Sequence, residues 1–419
     1  MTDETAFGIP RISLRHLKAA LFVTRSRNVT RAAKQLNRSQ TAITKAINEL
    51  EHTLDVRLFD RTATGMTPTV YAQTLATRIE MAANEFKQAG ESYKRYNPAA
   101  RHSQSIAVFT MDISYKRLAA VIALQEKRDV GLAADALQVS RAAIYNSVRQ
   151  LETLLDAPLF QREPHGMSPT PYCKVLARHT QLAFAQIRHA LDDVASLDGI
   201  LQGRVVIGTL PYSRTFITPQ AINRLLQEHP QLDVATREGP YAVLESALRC
   251  GDIDLIIGAV RAPADGGDIT THVLFEDRLS VIARSQHPLM KRKTIRFRDL
   301  QNSQWVLPGA DTPARQLFDA TLRKHGMQVP QHAVETSSLS MVRGLLVDSD
   351  RLALLSEHQI YYDKLYGVLD VLPVKLEETN RPIGVTLRAH TPPSPAARLF
   401  LDYLEEVVAD RPSGTTTGD

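Results

Sequence analysis

Cysteine is scarce in this chain of 419 residues, which contains only Cys173 and Cys250. Neither has a partner at metal-ligand spacing, so the sequence predicts no zinc site and no disulfide framework, as is typical of the reducing cytosol. A redox pair is the less favoured alternative. No apolar run approaches the roughly 18 residues of a membrane helix, and residues 1–10 lack a secretory apolar stretch. We therefore expect a cytoplasmic protein with no membrane partner.

Catalytic motifs are also lacking. The sequence has no nucleophile-elbow glycine pattern and no phosphate-binding loop, and its 13 histidines show no metal-ligand spacing. We therefore expect no catalytic residues, no metal and no cofactor, hence a protein that is not an enzyme.

A long passage occurs twice in this sequence. Residues 12–77 align without a gap on residues 113–178, and about 26 of the 66 paired positions are identical. Shared helical composition alone would match residue classes, but here the turn residues Ser39 and Gly65 also recur, as Ser140 and Gly166. The pattern predicts a tandem duplication.

Positive charge is concentrated in the first copy. Residues 11–90 contain about thirteen Lys and Arg against six Asp and Glu, whereas residues 112–198 contain about ten of each. From residue 199 onward the chain is slightly acidic. Because attraction to phosphate is the sequence-independent part of DNA affinity, the first copy is expected to be the main DNA-contacting module. The alternative is a basic face that is merely solvated.

The first copy has the pattern of a winged helix-turn-helix. Ser39 is a suitable N-cap for a helix that carries Ile43, Ile47 and Leu50 on one face, and residues 60–69 resemble a wing. The opposite face has side chains that can bond to base edges and phosphates, and Arg61 is placed for a minor-groove or backbone contact. The predicted DNA-binding residues are Arg38, Ser39, Gln40, Thr41, Thr44, Lys45, Asn48 and Arg61.

The second copy keeps the apolar face and changes the outward one. Its predicted DNA-binding residues are Arg141, Tyr145, Arg149 and Arg162. Two interpretations remain open: the second module reads a different half-site, or it is a scaffold that no longer touches bases. The arginines favour contact with DNA, whereas the near-zero net charge of residues 112–198 favours weaker contact.

Each copy is followed by a long helical pattern, at residues 69–96 and 170–197. These two helices are predicted to pair within one chain, provided that the connector at residues 97–110 lets them lie side by side. The apolar stretch 106–109 is a candidate to pack on their seam.

From residue 199, short apolar runs alternate with helical patterns. Strands are predicted at 205–207, 232–236 and 253–257, with helices at 221–226 and 241–248. This alternation predicts parallel α/β units. A segment rich in Pro, Gly and Asp at 262–271 predicts a hinge into a second lobe, and the chain returns at 383–387 and closes with a helix at 397–408. Two such lobes enclose a cleft suited to a small ligand.

Candidate ligand residues lie where strands end at that cleft. The loop 212–215 precedes a helix whose N-terminal amides favour an anionic or polar group. For Ser337 and Ser338, a role as simple helix caps is an almost equal alternative. The predicted effector-binding residues are Tyr212, Ser213, Arg214, Thr215, Arg261, Asp311, Thr312, Ser337 and Ser338.

The segment Ser-Gln-Thr-Ala-Ile-Thr-Lys-Ala-Ile-Asn-Glu-Leu-Glu at 39–51, followed by Leu-Phe-Asp-Arg at 58–61, resembles the N-terminal winged helix of LysR-type transcriptional regulators. Residues 203–208, 250–258, 287–289 and 381–385 resemble landmarks of that family's effector domain. The branch with regulators of sugar and aromatic-compound genes is the most similar. Two features depart from the family: the second winged helix, and residues 66–72 in place of Leu-Thr-x-Ala-Gly.

The resemblance and the residues together predict an α + α/β chain: two tandem winged helix-turn-helix domains with long linker helices, then a two-lobed α/β periplasmic-binding-protein-like effector domain. The expected domains are 1–96, 97–198 and 199–411, with a second lobe at about 272–371 and a flexible tail at 412–419.

The leading hypothesis for function is a ligand-responsive transcription regulator that activates or represses. Its partners would be double-stranded promoter DNA, a small-molecule effector, its own copies in a homodimer or homotetramer, and RNA polymerase. A metabolite-binding protein or enzyme that carries DNA-binding domains is one alternative. An architectural DNA binder without effector control is the other.

Overall fold

The computed structural model describes residues 10–62, 65–98, 106–164, 166–261, 267–374 and 376–411. It forms two compact units, with the chain passing from the first to the second between Gln202 and Gly203; Arg249–Asp252 group with the first. The predicted wing residues Ala63, Thr64 and His165, residues 99–105 of the connector, the start of the predicted hinge and the 412–419 tail lie outside the described residues.

The first module of the first unit consists of three helices, a two-stranded hairpin and a long helix. Their bounds are α1 Leu14–Ser26, α2 Val29–Gln35, α3 Gln40–Leu54, β1 Phe59–Thr62, β2 Gly65–Pro68 and α4 Val70–Tyr96. The helices begin where polar side chains accept a backbone N–H of the first turn, and these caps are Ser13, Asn28, Ser39 and Thr69.

The second module repeats this element order. Its elements are α5 Tyr115–Lys127, α6 Val130–Leu137, α7 Arg141–Leu155, β3 Phe160–Glu163, β4 Gly166–Pro169 and α8 Pro171–Ser196. The caps recur at equivalent positions, as Ser114, Asp129, Ser140 and Thr170. The local signals that the two copies share therefore produce the same local structure.

The long helices α4 and α8 pack against each other and run antiparallel. Tyr71, at the start of α4, donates a hydrogen bond to Asp198 just beyond the end of α8. At the other end, the rings of Tyr93 and Tyr172 lie 5.2 Å apart between centroids. The pairing predicted from the sequence is thus present within one chain.

The two modules share one hydrophobic core with this helix pair. Part of the connector joins that core, since Val108 and Phe109 are buried, and the Phe109 ring lies 5.7 Å from that of Tyr93. The modules also touch directly, because Lys18 on α1 donates to the Asp112 carboxylate at 2.6 Å. The first unit is therefore one packed body.

In the second unit, the first lobe is a sheet between helices. Its strands are β5 Arg204–Thr209, β6 Asp233–Glu238 and β7 Leu255–Ala259, with β5 parallel to both β6 and β7. Helices α9 Ile217–Glu228 and α14 Pro395–Ala409 cover one face, and α10 Tyr241–Cys250 covers the other. These are the predicted parallel α/β units.

The second lobe repeats this layering. Strands β9 Trp305–Leu307, β10 Ala333–Glu335 and β11 Leu352–Ser356 pair in parallel through β9. Helix α11 Pro313–Lys324 packs on one face and α12 Leu339–Val347 on the other. The lobe also contains α13 Tyr361–Leu365 and β12 Leu369–Val371, and β12 pairs with the long strand described next.

Two antiparallel strands, β8 Ile269–Arg284 and β13 Asn380–Arg388, cross between the lobes. The structure here differs from the expected lobe boundary near His272, which lies inside β8. Residues 269–278 still pair with β13, and β8 pairs with β11 only from Leu279 onward. The start of the second lobe is therefore several residues later than the composition of the 262–271 segment indicated.

Candidate functional site

The outward face of α3 presents the predicted DNA-contacting side chains. Ile43, Ile47 and Leu50 are buried on the inner face. The exposed residues include Arg38, Ser39, Gln40, Thr41, Lys45 and Asn48, while Thr44 is half-buried. Because this polar face is presented on a rigid, well-packed helix, it has the geometry that a recognition helix in a major groove requires.

Several of these side chains are oriented by neighbours. The Gln40 amide donates to the Thr30 hydroxyl at 2.8 Å. Arg61, exposed on β1, donates to the Asn48 amide oxygen at 3.4 Å, which ties the wing to the recognition helix. The Ser39 hydroxyl accepts the Ala42 N–H at 3.1 Å, so this predicted DNA contact also serves as a helix cap.

The equivalent face of α7 is exposed but chemically different. Arg141, Tyr145 and Arg149 point outward from a helix whose Ile144 and Val148 are buried. Arg162 is exposed on β3. All four residues of the second module that were predicted to bind DNA are thus exposed.

Each wing is held by a contact that the sequence analysis missed. One carboxylate oxygen of Glu51 accepts the N–H groups of Leu58 and Phe59, at 2.7 and 3.1 Å. In the second module Glu152 accepts those of Leu159 and Phe160, at 2.7 and 3.2 Å. The signal that could have revealed these residues was their identity in both copies.

The second strand of each wing lies against the end of a helix. The Met66 N–H donates to the carbonyl of Arg27 at 3.2 Å. A Cβ on Gly65, which has φ +149°, would lie 2.7 Å from that carbonyl oxygen. Gly166 has the same relation to Arg128, at 2.4 Å. The shared glycine is therefore required by a close backbone approach.

The second unit contains a cleft between its two lobes. An inner, mainly apolar cavity of about 90 Å³ opens beside an outer cleft of about 1020 Å³. Tyr212 lines the inner cavity. The outer cleft brings together most of the other predicted effector residues, which are Arg214, Thr215, Arg261, Asp311, Thr312, Ser337 and Ser338.

Ser213 is the exception, and its predicted role in effector binding is not supported. The side chain is completely buried. Its hydroxyl donates to the backbone carbonyls of Leu210 and Ile257, at 3.1 and 3.2 Å. Ser213 therefore fixes the loop that follows β5 to strand β7 and does not face the cleft.

The hydroxyls at two helix starts are already used as caps. Thr312 accepts the Arg315 N–H at 3.3 Å and donates to the Gly309 carbonyl at 2.7 Å. Ser338 accepts the Met341 N–H at 3.4 Å. These contacts favour the cap interpretation for Thr312 and Ser338, whereas Ser337 lines both cavities.

The two arginines of the cleft have different environments. Arg214 is held by Thr209 and Glu238: it donates to the Thr209 carbonyl at 2.8 Å and pairs with the Glu238 carboxylate at 3.1 Å. Arg261 stacks over the Tyr241 ring at 4.7 Å, and its buried Nε has no hydrogen-bond partner within the described part of the chain. Arg261 is therefore the better candidate to bind an anionic group.

A buried ion pair on the crossing strands was also missed. Arg381, which lines the inner cavity, contacts Asp277 with 3.2 Å between Nε and the carboxylate oxygen. Ser356 donates to the same carboxylate at 2.6 Å. Burial raises the pKa of Asp277 against the opposing effect of Arg381 and Ser356. Residue 381 was noted in the sequence only as part of a family landmark.

Two kinds of feature are absent from the part of the chain described. No helix there is long and apolar enough to cross a bilayer. Within the same residues, no group of three or more His, Cys, Asp or Glu side chains could hold a metal ion.

Comparison with known proteins matches both units to one family. The model of the bacterial regulatory helix-turn-helix of the lysR family matches twice, at residues 14–73 and 115–174. The LysR substrate binding domain matches residues 198–409.

Two curated regulators differ in how much of the chain they cover. The HTH-type transcriptional regulator GalR of Pseudomonas putida is 32% identical over 399 residues, 95% of this chain and 98% of the relative. The regulator PcaQ of Agrobacterium fabrum is 28% identical over 73% of this chain and 98% of its own length. The second alignment leaves about a quarter of this chain unmatched.

Two solved structures have a similar fold. A full-length cysteine-to-aspartate variant of OxyR from Pseudomonas aeruginosa has a TM-score of 0.50 at 22% identity, covering 70% of this chain and 94% of its own. CbnR, a LysR family transcriptional regulator, has a TM-score of 0.52 at 16% identity, covering 71% of this chain and 100% of its own. With helix-turn-helix matches in the first unit and a substrate-binding match in the second, the chain belongs to the LysR family and is a ligand-responsive, DNA-binding transcription regulator.

Proposed function

We propose that this regulator binds promoter DNA through two tandem winged helix-turn-helix domains and senses a small anionic metabolite in the cleft of a periplasmic-binding-protein-like effector domain. The proposed domains are 1–96, 97–198 and 199–411. The protein would act in the cytoplasm, with RNA polymerase as a further partner. Each chain would carry two winged helix-turn-helix domains, called heads, so that a homodimer would carry four heads and a homotetramer eight.

The observation that carries the DNA-binding part is the exposed polar face of α3 in the basic first module. Lys45 is exposed on that face, with only a weak contact to Glu49 at 3.7 Å. A lysine that contacts a phosphate displaces counterions from the DNA. Its loss therefore weakens binding and reduces the slope of log affinity against log salt concentration by about one. Lys94, partly exposed at the far end of α4 next to Glu91, offers a control.

The test is fluorescence anisotropy of a labelled promoter fragment from beside the gene, titrated with full-length protein at several salt concentrations. We expect tight, salt-sensitive binding by the wild type, weaker binding with a shallower salt slope for Lys45→Ala, and wild-type behaviour for Lys94→Ala. If Lys45→Ala matched the wild type in both affinity and slope, α3 would not be the contacting face.

The sensing part is supported by the pairing of a cation with an apolar cavity. Within the described residues, the buried Nε of Arg261 has no hydrogen-bond partner. Helix α9 begins at Ile217, directly after the loop that lines the cleft, without a side-chain cap. Helix N-termini and guanidinium groups both favour anions. The inner cavity would then accept a short apolar group attached to the anion.

A thermal-shift screen tests this with acetate, succinate, benzoate and inorganic phosphate, each carboxylate compared with its uncharged amide. We expect at least one anion to raise the melting temperature of the wild type more than its amide does, and Arg261→Ala to remove that difference. Equal shifts for acid and amide would contradict an anionic effector.

A further inference from the structure

We infer that a single chain is a complete two-headed DNA reader whose two recognition helices require two different half-sites, so that the site read by one chain is not a palindrome. This inference rests on the proposed DNA-binding function, because both heads must touch DNA.

The pairing surface of the long helices is already occupied within the chain. Arg78 of α4 is 2% exposed and lies 2.7 Å from the Asp193 carboxylate of α8. Its guanidinium also donates to the Gln186 amide oxygen, which is likewise buried. Further along the seam, His179 contacts Glu85 at 2.8 Å. Separating the helices would break the Arg78–Asp193 ion pair and expose the apolar seam to water, which is destabilising.

The end of the connector is fixed to the same seam. A Cβ on Gly90 would lie 3.0 Å from the Phe109 ring, so α4 and Phe109 are in close contact. Tyr93, which packs on that ring, also donates a hydrogen bond to the carbonyl of Leu155 at the end of α7. The second head is therefore held by the first linker helix as well as by its own.

The antiparallel pairing separates the starts of the two long helices by about the length of one turn of a duplex. The wings end at Pro68 and Pro169, immediately before α4 and α8. Tyr172, near the start of α8, packs beside Tyr93, which is 22 residues beyond Tyr71. At about 1.5 Å per residue this is about 33 Å along the helix axis, close to the roughly 34–36 Å between half-sites one turn apart.

The two reading faces offer different chemistry to the bases. On α3, Gln40 and Asn48 carry amides, which pair best with adenine. On α7, Arg141 and Arg149 carry guanidinium groups, which pair best with guanine. Since equivalent positions hold different groups, one chain cannot read both halves of an inverted repeat equally well.

Selection from a random duplex library with full-length protein tests the inference. We expect the wild type to enrich two unrelated motifs in a fixed order and spacing. Gln40→Ala should keep the second motif and relax the first, and Arg149→Ala should do the reverse, each losing about tenfold in affinity for the selected site, within the range for one base contact. Both side chains are exposed, and unchanged thermal unfolding would show that each variant is folded.

An inverted repeat of one motif, with Arg149→Ala selecting as the wild type does, would overturn the inference while leaving the regulator a DNA binder. Enrichment of no sequence by the wild type would overturn the proposed function together with the inference.

Discussion

Glu51 and Glu152 show how one carboxylate can set the geometry of a DNA-binding head. In each, one oxygen accepts two backbone N–H groups at the start of a wing strand. Since those donors are partly buried, they would otherwise lack partners when the wing packs on its helix. The residue lies toward the end of the recognition helix, so it links the wing to the reading face.

Replacing Glu51 with alanine should therefore destabilise the first head. Two N–H groups lose a charged acceptor, and such a loss typically costs about 1–3 kcal/mol. We expect a lower denaturation midpoint and weaker DNA binding. Glu126→Ala is the matched control, since Glu126 is half-exposed and its ion pair is with the adjacent Lys127. Equal midpoints for both variants in urea unfolding would show that Glu51 has no such role.

Asp112, between the two modules, makes the stability of the first unit depend on pH. Burial alone would raise the pKa of its carboxyl, but hydrogen bonds from Lys18 and Thr110 outweigh burial and lower that pKa. A carboxyl with a lowered folded-state pKa stabilises the fold above its unfolded pKa, about 3.9, and this contribution disappears as the pH falls through the folded value.

Asp112→Asn should accordingly unfold more easily than the wild type at pH 7, and the difference should shrink below about pH 4. Denaturant unfolding at a series of pH values measures this. Asp60→Asn, an exposed change on the first wing, should follow the wild type throughout. A difference between Asp112→Asn and the wild type that is independent of pH would refute the role of the ionised carboxyl.

The roles of individual side chains were harder to predict from the sequence than the places of those residues in the fold. The exposed faces of α3 and α7 follow from helical periodicity, because an apolar residue every three or four positions fixes which side faces the core. Ser213 was assigned to the cleft because its loop ends there, yet its hydroxyl turns inward to two carbonyls. A sequence places a loop at a site, but the direction of each side chain depends on tertiary contacts.

At the scale of elements, helix starts were the most predictable feature. Ser39 was expected as an N-cap, and both Ser39 and its counterpart Ser140 accept a backbone N–H of the first turn. The crossing strand was predicted less well, because β8 is 16 residues long and serves both lobes. Its pairing partners are distant in sequence, so local composition near 262–271 indicated the change of lobe too early.

The pairing of α4 with α8 predicts the result of a crosslinking experiment. Glu85 and His179 face each other across the seam, so in a Cys250→Ser background the double variant Glu85→Cys with His179→Cys should be joined by a short bismaleimide. We expect the product to run at the mass of one chain in a denaturing gel. Cys173 is buried and should react slowly.

The control is a mixture of chains that each carry one of the two cysteines, co-expressed and purified together. Because the pairing is intrachain, this mixture should give little dimer-sized product. A dominant dimer band from the double variant or from the mixture would show that the helices pair between chains.

At the scale of the whole molecule, sensing and DNA reading are carried by separate units. The cleft lies within the second unit and the recognition helices within the first. This division was predictable because the change from helical repeats to alternating strands and helices near residue 199 is strong in the sequence. The ligand was not predictable to the same degree, since its recognition depends on how the lobes bring distant loops together.

Arg261→Ala tests whether the cleft controls DNA binding. The side chain does not belong to the first unit, so ligand-free affinity for the promoter fragment should equal that of the wild type. The stabilising anion from the thermal screen should still change the affinity for DNA, but only at higher concentration. The anion concentration that gives the half-maximal change should rise at least about tenfold, as for a lost charged hydrogen bond. Anisotropy titrations with and without that anion measure both quantities. An unaltered anion response would place the effector elsewhere.

The most direct test of the two-headed account is a hydroxyl-radical footprint on the selected operator, made with wild-type protein, Lys45→Ala and Arg149→Ala. The wild type should protect two segments about one helical turn apart. Each variant should lose protection over one segment, and the two segments should differ. Full protection by Arg149→Ala, with all loss confined to Lys45→Ala, would contradict the account and make the second module a scaffold.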